Sequence, residues 1–312
     1  MQKSLLYGEI SPELLDILLI DRTTGENIVW GTADYYEYGC FAVEEIQLDK
    51  LGLVRPRYEK IRKRQRIRTR DRAEIFTPSW LCNEQNNLVD EAWFGREKVF
   101  NAVVDTCKRT WQATPDKIAF SKDMTWQTYV DANRLEITCG EAPYLVSRYD
   151  VVTGEPIEIS QRVGLLDRKL RVVFENSVDD DECLIWIKRA VQSVYGYEFQ
   201  GDNLFLARKN ILLSVVEYFL QKFSVEPSED FLLDVAEIIS WNLWQMDGLT
   251  NAIPYANINH QGFLEGFGKN VNLDEKIYCR IKDWSTGGEL EYRDLLKGAY
   301  RGSCLRKVSN TS

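Results

Sequence analysis

Apolar residues recur at helical spacing in several stretches of the chain and gather into short strand-like runs in others. Leu14, Leu15, Ile17, Leu18 and Leu19 give one apolar face behind Ser11-Pro12-Glu13. Ser as cap and Pro in the first turn predict that a helix begins there. Residues 27–33 (NIVWGTA), after the turn residues Thr24-Gly25, read as a strand. A helix is predicted over about 78–93, and residues 97–130 read as helical with an interruption at Pro115. From Leu135 onward the texture alternates. Strand-like 135–138 and 170–174 are followed by a helix over 184–194, a short strand over 195–199, and helices over about 204–223 and 229–241. Strand, turn and helix in repetition predict an α/β domain with a largely parallel sheet. Ligands of such sheets bind in the turns at the carboxyl ends of the strands.

The hydrophobic content of 44% and charged content of 28% suit a globular chain with a sizeable core. The apolar runs fall far short of the ~20 residues a membrane span needs. The first residues, MQKSLLYGEISPELLD, lack a basic-then-apolar signal layout, so a cytoplasmic protein is expected. Seven cysteines (40, 82, 107, 139, 183, 279 and 304), without any CxxC pair, argue for reduced and mostly buried thiols. His260 is the single histidine. One imidazole removes HExxH metalloenzymes and disfavours Ser-His-Asp and Cys-His hydrolases.

Charge is segregated. The net charge is −9, yet residues 55–72 (RPRYEKIRKRQRIRTRDR) hold ten Lys/Arg against Glu59 and Asp71, which makes +8 there and −17 elsewhere. Clustered arginine, rather than net charge, neutralises phosphate, and its fork fits phosphate oxygens. Arg62, Arg64, Arg66 and Arg68 are therefore candidate DNA contacts, and Tyr58 lies within the same run. A solvated helix or an extended linker would read the same way.

Four turns follow in order. Glu74-Ile75-Phe76-Thr77-Pro78 precedes a helix. Leu135-Glu136-Ile137-Thr138-Cys139-Gly140-Glu141 ends a strand in a glycine turn. Gly196-Tyr197-Glu198-Phe199-Gln200-Gly201-Asp202 leads into Ala207-Arg208-Lys209-Asn210. Trp244-Gln245-Met246-Asp247-Gly248-Leu249 closes an apolar segment. Their order and texture resemble the S-adenosylmethionine-binding half of adenine-N6 DNA methyltransferases of restriction–modification systems, more narrowly the proteins labelled restriction endonuclease subunit M. That family carries an F-x-TP motif, a D/E-P-x-CG-x-G motif, a G-x-E motif with a following A-x-x-N helix, and a D-G-L type turn. The resemblance covers about residues 70–250.

The resemblance implies a Rossmann-like methyltransferase domain over 73–312, with an insertion about 145–190. It would be preceded by a small α+β module (1–54) and the Arg-rich segment (55–72). It implies S-adenosylmethionine as cofactor and DNA as partner, with a second restriction–modification subunit as a further partner. Phe76, Thr77, Pro78, Glu136, Thr138, Cys139, Gly140, Glu198, Asp202, Asp247 and Gly248 would form the cofactor site. Thr77-Pro78 would act there as a helix cap, and Asp247 would accept from the adenine amino group. A glycine at the strand-to-helix turn lets backbone amides approach a ligand. A carboxylate at a strand end accepts ribose hydroxyls. Read singly, Gly140 is equally a tight turn, Glu198 a surface acid, Asp247-Gly248 a hairpin or helix stop, and Thr77-Pro78 a plain helix start.

The chain departs from that pattern. After Gly140 the glycine-rich turn is replaced by Glu141-Ala142-Pro143-Tyr144, and Pro143 removes a donor. About 56 residues separate the turn from Glu198. Arg168-Lys169-Leu170-Arg171, between them, would add positive charge facing DNA or another subunit. The family holds its target base with a D/N-P-P-Y/F loop, whose aromatic stacks on the flipped base. No Pro-Pro occurs here, and Ile253-Pro254-Tyr255 and Ala142-Pro143-Tyr144 come nearest. In relatives the segment resembling residues 279–284 leads into that loop, so the chain is expected to stop just before it, with 298–312 a polar tail. Three readings stay open. They are a DNA adenine methyltransferase that is complete or completed by a second chain, a non-catalytic cofactor- or DNA-binding subunit, and a Mg²⁺-dependent nuclease. The nuclease would use Asp150, Asp167 and Lys169 in a D…D-x-K layout before a strand over 170–174.

Overall fold

The computed structural model describes residues 10–72, 74–255 and 276–297. Ala73, His260, Cys304 and the tail 298–312 lie outside the described residues. No helix among the described residues is long and apolar enough to cross a membrane.

The first helix, α1 (Pro12–Leu19), starts as its sequence predicts, with the Ser11 hydroxyl accepting from Leu14 N at 3.4 Å and Pro in the first turn. Its buried face, Leu14, Leu18 and Leu19, packs on α8 (Glu229–Asn242). Of residues 27–33, only the first four approach a strand, since the chain turns at Gly31 (φ 66°) and bends at 32–33. Those four make isolated bridges (Ile20 to Asn27, Val29 to Glu45) instead of a regular strand, because Gln245 takes the backbone of Val29. Basic helix α2 (Arg62–Arg72) and α3 (Ser79–Phe94) follow.

Residues 97–130 are not the interrupted helix that composition suggested. Gly95, left-handed at φ 66°, terminates α3. β1 (Asn101–Asp105) and β2 (Thr110–Ala113) then form an antiparallel hairpin. Its turn is closed by the Asp105 carboxylate, which accepts from Cys107 N and Lys108 N at 2.9 Å each. Helix survives only in α4 (Trp126–Asp131), capped reciprocally by Thr125 and Thr128.

The centre is a parallel sheet of β3 (Arg134–Glu136), β4 (Val194–Glu198) and β5 (Leu243–Gln245), in the order β3-β4-β5. In register, Glu136 lies beside Gly196 and Glu198 beside Gln245. Two helical crossovers connect the strands. The first is α5 (Leu165–Asn176) with α6 (Asp180–Gln192), and the second is α7 (Gly201–Phe223) with α8. The chain is thus mixed α/β with a parallel three-stranded sheet. Residues 170–174 are helix, not strand. Leu166, Leu170 and Val173 are buried at i, i+4 and i+7, and the Val172-Val173 pair imitated a strand only by being β-branched.

A single apolar core joins α1, residues 28–54 and α5 to α8. The opposite sheet face carries a smaller cluster of Trp244, Met246, Ile253, Cys279, Ile281 and Tyr292. It is contributed in part by the hairpin β6 (Arg280–Asp283) and β7 (Gly288–Glu291) and by the short α9 (Tyr292–Leu296). Trp241 and Trp244 are packing residues, being 7% and 3% exposed.

Two buried cations tie the elements together. Arg208 donates to the carbonyls of Leu18, Ile20, Ser240 and Leu243, the outgoing ends of α1 and α8. Positive charge is favourable at those ends. Burial holds its pKa down to about 10. Arg68 is 1% exposed and forks onto Asp202 at 2.8 and 3.0 Å. Asp202 also accepts from Lys60 Nζ at 3.0 Å and Tyr35 Oη at 2.8 Å. Burial would raise the Asp202 pKa, but Arg68 and Lys60 outweigh it and hold the carboxyl well below its usual range.

Replacing Arg68 by Met is expected to destabilise the fold by about 3–5 kcal/mol, because it leaves a buried carboxylate short of charge. Denaturant unfolding measures this. A depressed folded pKa means that the Asp202 contribution is present above the unfolded value of about 3.9 and is lost as pH falls through the folded one. Asp202→Asn is therefore expected to lower stability at pH 7 and to flatten its loss below about pH 4.

Candidate functional site

Parallel pairing carries the ends of β3, β4 and β5 to one rim, where the turns at Gly140, Glu198 and Asp247 become neighbours. Cys139 N donates to Tyr197 O at 2.9 Å, and Met246 N donates to Glu198 O at 3.0 Å. The Glu198 side chain closes the rim. It accepts from Gly140 N at 2.8 Å, Phe199 N at 3.0 Å and Gln200 N at 3.1 Å. Phe76 arrives from the segment before α3. Its ring lies so close that a Cβ on Gly140 would stand 3.1 Å from it. The Arg57 guanidinium stands over the same ring, 5.1 Å from its centre.

The turn after β3 is strained. Thr138, Gly140 and Ala142 all have positive φ (48°, 54° and 63°), a region that costs a non-glycine residue about 1–2 kcal/mol. Such conformations persist where the surroundings over-determine them. Here Glu136, 9% exposed, accepts from Tyr144 N at 3.3 Å and Leu145 N at 3.2 Å. Asn210 Nδ2 donates to Glu141 O at 3.1 Å. The Glu141 carboxylate accepts from Arg57 N and Tyr149 Oη at 2.6 Å each. Burial pushes the pKa of Glu136, Glu141 and Glu198 upward, against the backbone and tyrosine hydrogen bonds that favour the ionised forms. Cys139 is 2% exposed, and its Sγ would lie 3.2 Å from a Cβ on Gly196, so the cysteine packs under the sheet.

The remaining expected residues divide. Asp247 is half-buried and uses Oδ1 to cap its own turn at Leu249 N, 2.9 Å away, while Gly248 lies against the Tyr197 ring. Thr77-Pro78 does not supply the cap of α3. Pro78 has the cap position, and Asp150 provides the acceptor, 2.7 Å from Ser79 N. Thr138 is exposed and donates to the neighbouring Ile137 carbonyl. Asp202 is 0% exposed and committed to Arg68 and Lys60, so it faces the interior and not the rim. Tyr255 packs edge-on to Phe199, with ring centres 5.6 Å apart, which places Pro254-Tyr255 near the end of β4. Pro143-Tyr144 instead turns toward α3, with Tyr144 Oη donating to Gln85.

The layout read as a nuclease is not assembled. Asp167 and Lys169 lie on α5, 1% and 0% exposed. Lys169 Nζ caps carbonyls of Val130 (2.9 Å) and Ala132 (2.5 Å), and burial pushes its pKa well down. Asp167 Oδ2 accepts from Ser147 N and Gly164 N. The run Arg168-Lys169-Leu170-Arg171 is likewise turned inward, with Arg168 2% exposed and paired to Asp90 at 2.6 Å.

On α2 the expected DNA contacts also divide. Arg62 and Arg66 are exposed and line a concave surface with Arg57, Gln65 and Arg70. Arg64 is half-buried and pairs with Glu37. Arg68 points inward, where the carboxylates of Asp202, Glu74 and Asp34 hold it. Tyr58 packs on Tyr149 at 5.3 Å. Sequence reading missed Gln245, whose amide clamps Val29 N, Val29 O and Phe199 O. It also missed Glu74, which joins Arg57, Arg68, Gln200 and Asn203.

Comparison of the chain with family models, with curated proteins and with solved structures returns no match in any of the three.

Gly140→Ala is expected to cost about 1–2 kcal/mol from φ alone, with a further loss as Phe76 gives way, measured by denaturant unfolding. Phe76→Leu, which removes the ring from the contact, is expected to recover part of the loss.

Proposed function

We propose that the rim of the parallel sheet binds S-adenosylmethionine and that the protein serves adenine-N6 DNA methylation in a restriction–modification system, on a Rossmann-like methyltransferase domain. The observation that supports this most is the meeting of Phe76, Gly140, Glu198 and the Asp247 turn at the ends of three adjacent parallel strands. Those four segments carry the sequence resemblance, and each is more than 40 residues from the next in the chain. Carboxyl ends of parallel strands are where such folds take nucleotides.

Four lone-pair positions are available on a carboxylate. Glu198 uses three for backbone donors, which leaves one on Oε2 for a ribose hydroxyl. Phe76 offers a flat apolar wall beside Gly140 for the adenine or methionine part. Asp247 would accept from an amino group through the oxygen not engaged in its own turn. The role of these residues is to bind and orient the cofactor, which supplies the methyl group when bound.

The base-holding loop is a separate requirement. The sequence contains no Pro-Pro, and Tyr255, near the cofactor rim, lacks the preceding diproline. The proposal therefore assigns cofactor binding to this chain and assigns capture of the flipped adenine to a loop of a second subunit. DNA would run along the exposed Arg62 and Arg66 face of α2.

S-adenosylmethionine is expected to raise the thermal unfolding midpoint of the wild type, and Glu198→Ala is expected to abolish that rise. Cofactor affinity unchanged by the substitution would remove the site assignment. Charge reversal at Arg62 and Arg66 together is expected to weaken DNA binding and to reduce the slope of log K against log salt by about 2. The same slope in wild type and variant would show that α2 is only solvated.

A further inference from the structure

A cleft of about 460 Å³ lies away from the rim, between the β1–β2 hairpin and the faces of α5 and α7. Its walls are aromatic, with Phe100 and Trp111 from the hairpin side and Phe174 and Tyr218 from the helices. Phe174 and Tyr218 stand 5.9 Å apart, and Trp111 is held by its indole N–H donating to Gln161 O at 2.8 Å.

Three residues lining this cleft each keep one buried polar atom without a partner. They are Arg162 Nη1, Arg168 Nε and Asp167 Oδ1. All three side chains are more than nine-tenths buried, at 5%, 1% and 1% exposure. A buried polar atom left unpaired costs about 1–3 kcal/mol, so three around one cleft call for a ligand. The rest of each side chain is already committed. Arg162 Nη2 pairs with Glu217, the Arg168 terminal nitrogens go to Asp90, Asn83 and Asn87, and Asp167 Oδ2 accepts from Ser147 and Gly164.

Charge narrows the ligand class. Arg168 and Arg171 pair with Asp90 and Glu175, and Arg162 shares Glu217 with Arg148 while feeling the Asp167 charge, so four cations face four carboxylates and the cleft holds no spare cation for a phosphate or a carboxylate. Two N–H donors and one acceptor oxygen, between aromatic walls, suit a neutral planar heterocycle that shows acceptors and an amino donor. Guanine does so with O6 and N7 as acceptors and its 2-amino group as donor.

We propose that this cleft binds a purine base, with guanine the best fit, its ring between the aromatic walls. Arg162 and Arg168 donate to the ring acceptors, and Asp167 accepts from the amino group. The base can come from a free nucleoside or from a single strand of nucleic acid, and the test separates these sources.

Calorimetric titration of the full chain with guanosine, with inosine and with a guanine-containing single-stranded oligonucleotide decides the matter. Saturable guanosine binding, at least tenfold weaker for inosine, which lacks the amino group, and for Trp111→Ala, supports a nucleoside pocket. Binding of the oligonucleotide alone, with the same dependence on Trp111, supports a pocket for a base presented by nucleic acid. Ala113→Trp, which fills the cleft, is expected to abolish either, and the inosine comparison stands on the wild type should a variant fold poorly. No binding by any probe, or binding unaffected by inosine, Trp111→Ala and Ala113→Trp, overturns the proposal. Glu198→Ala is expected to leave this binding unchanged, so its outcome is distinct from that of the cofactor site.

Discussion

Asp202 sits in the first turn of the longest helix with no exposure to solvent, and a charge so placed must be neutralised by the protein itself. The helix start favours a negative charge, but full burial costs more than that dipole returns. Arg68 and Lys60 complete the balance, with Tyr35 adding a neutral donor. All three come from the first quarter of the chain. That demand fixes how the N-terminal segments lie on the α/β part. It draws α2 against α7, and with it Glu74, whose carboxylate joins Arg68, Gln200 and Asn203. Two residues later comes Phe76, which thereby reaches Gly140. One ionic constraint in the interior thus sets a wall of the candidate site.

The turn after β3 shows how the rim is kept rigid. Three left-handed residues within five positions would relax if free, yet each flank is pinned by a buried carboxylate: Glu136 on one side, Glu141 on another, Glu198 across the sheet. Burial disfavours the charged form of all three, and the hydrogen bonds of the turn offset part of that cost. Acids and strained turn support one another. A turn held this way keeps its donors and acceptors oriented, which would reduce the ordering cost of any binding at the rim.

The basic run shows why a charge count overstates what a surface offers. Of the ten cations between 55 and 72, Lys60 and Arg68 are buried in the ion cluster, and Arg57 and Arg64 pair with Glu74 and Glu37. What faces outward is a narrower stripe on one side of α2, with Arg62 and Arg66 one helical turn apart. The Arg168–Arg171 run is a stronger case of the same effect, since its charge serves the packing of α5 against α3 and α4.

Much of the architecture was legible in the chain. Helices α1, α3, α6, α7 and α8 and strands β3 and β4 lie where apolar periodicity and Ser, Pro and Gly signals put them, because capping and amphipathic spacing act over a few residues. The glycine turn at 140 and the acid at 198 were legible for the same reason. Residues 97–130 and 170–174 were misread, since Asx turns and β-branched pairs are short signals that neighbouring packing overrides. No local pattern could show that Asp202 belongs to Arg68, 134 positions away, or that Gln245 clamps Val29 across 216. Nor could it show that Arg162, Asp167 and Arg168 keep unpaired atoms around one cleft. The sequence by itself determined which segments coil, which extend and where charge accumulates. The tertiary structure alone decided which charges are buried and which face water, because desolvation depends on what closes over a side chain, and that is set by parts of the chain far from it.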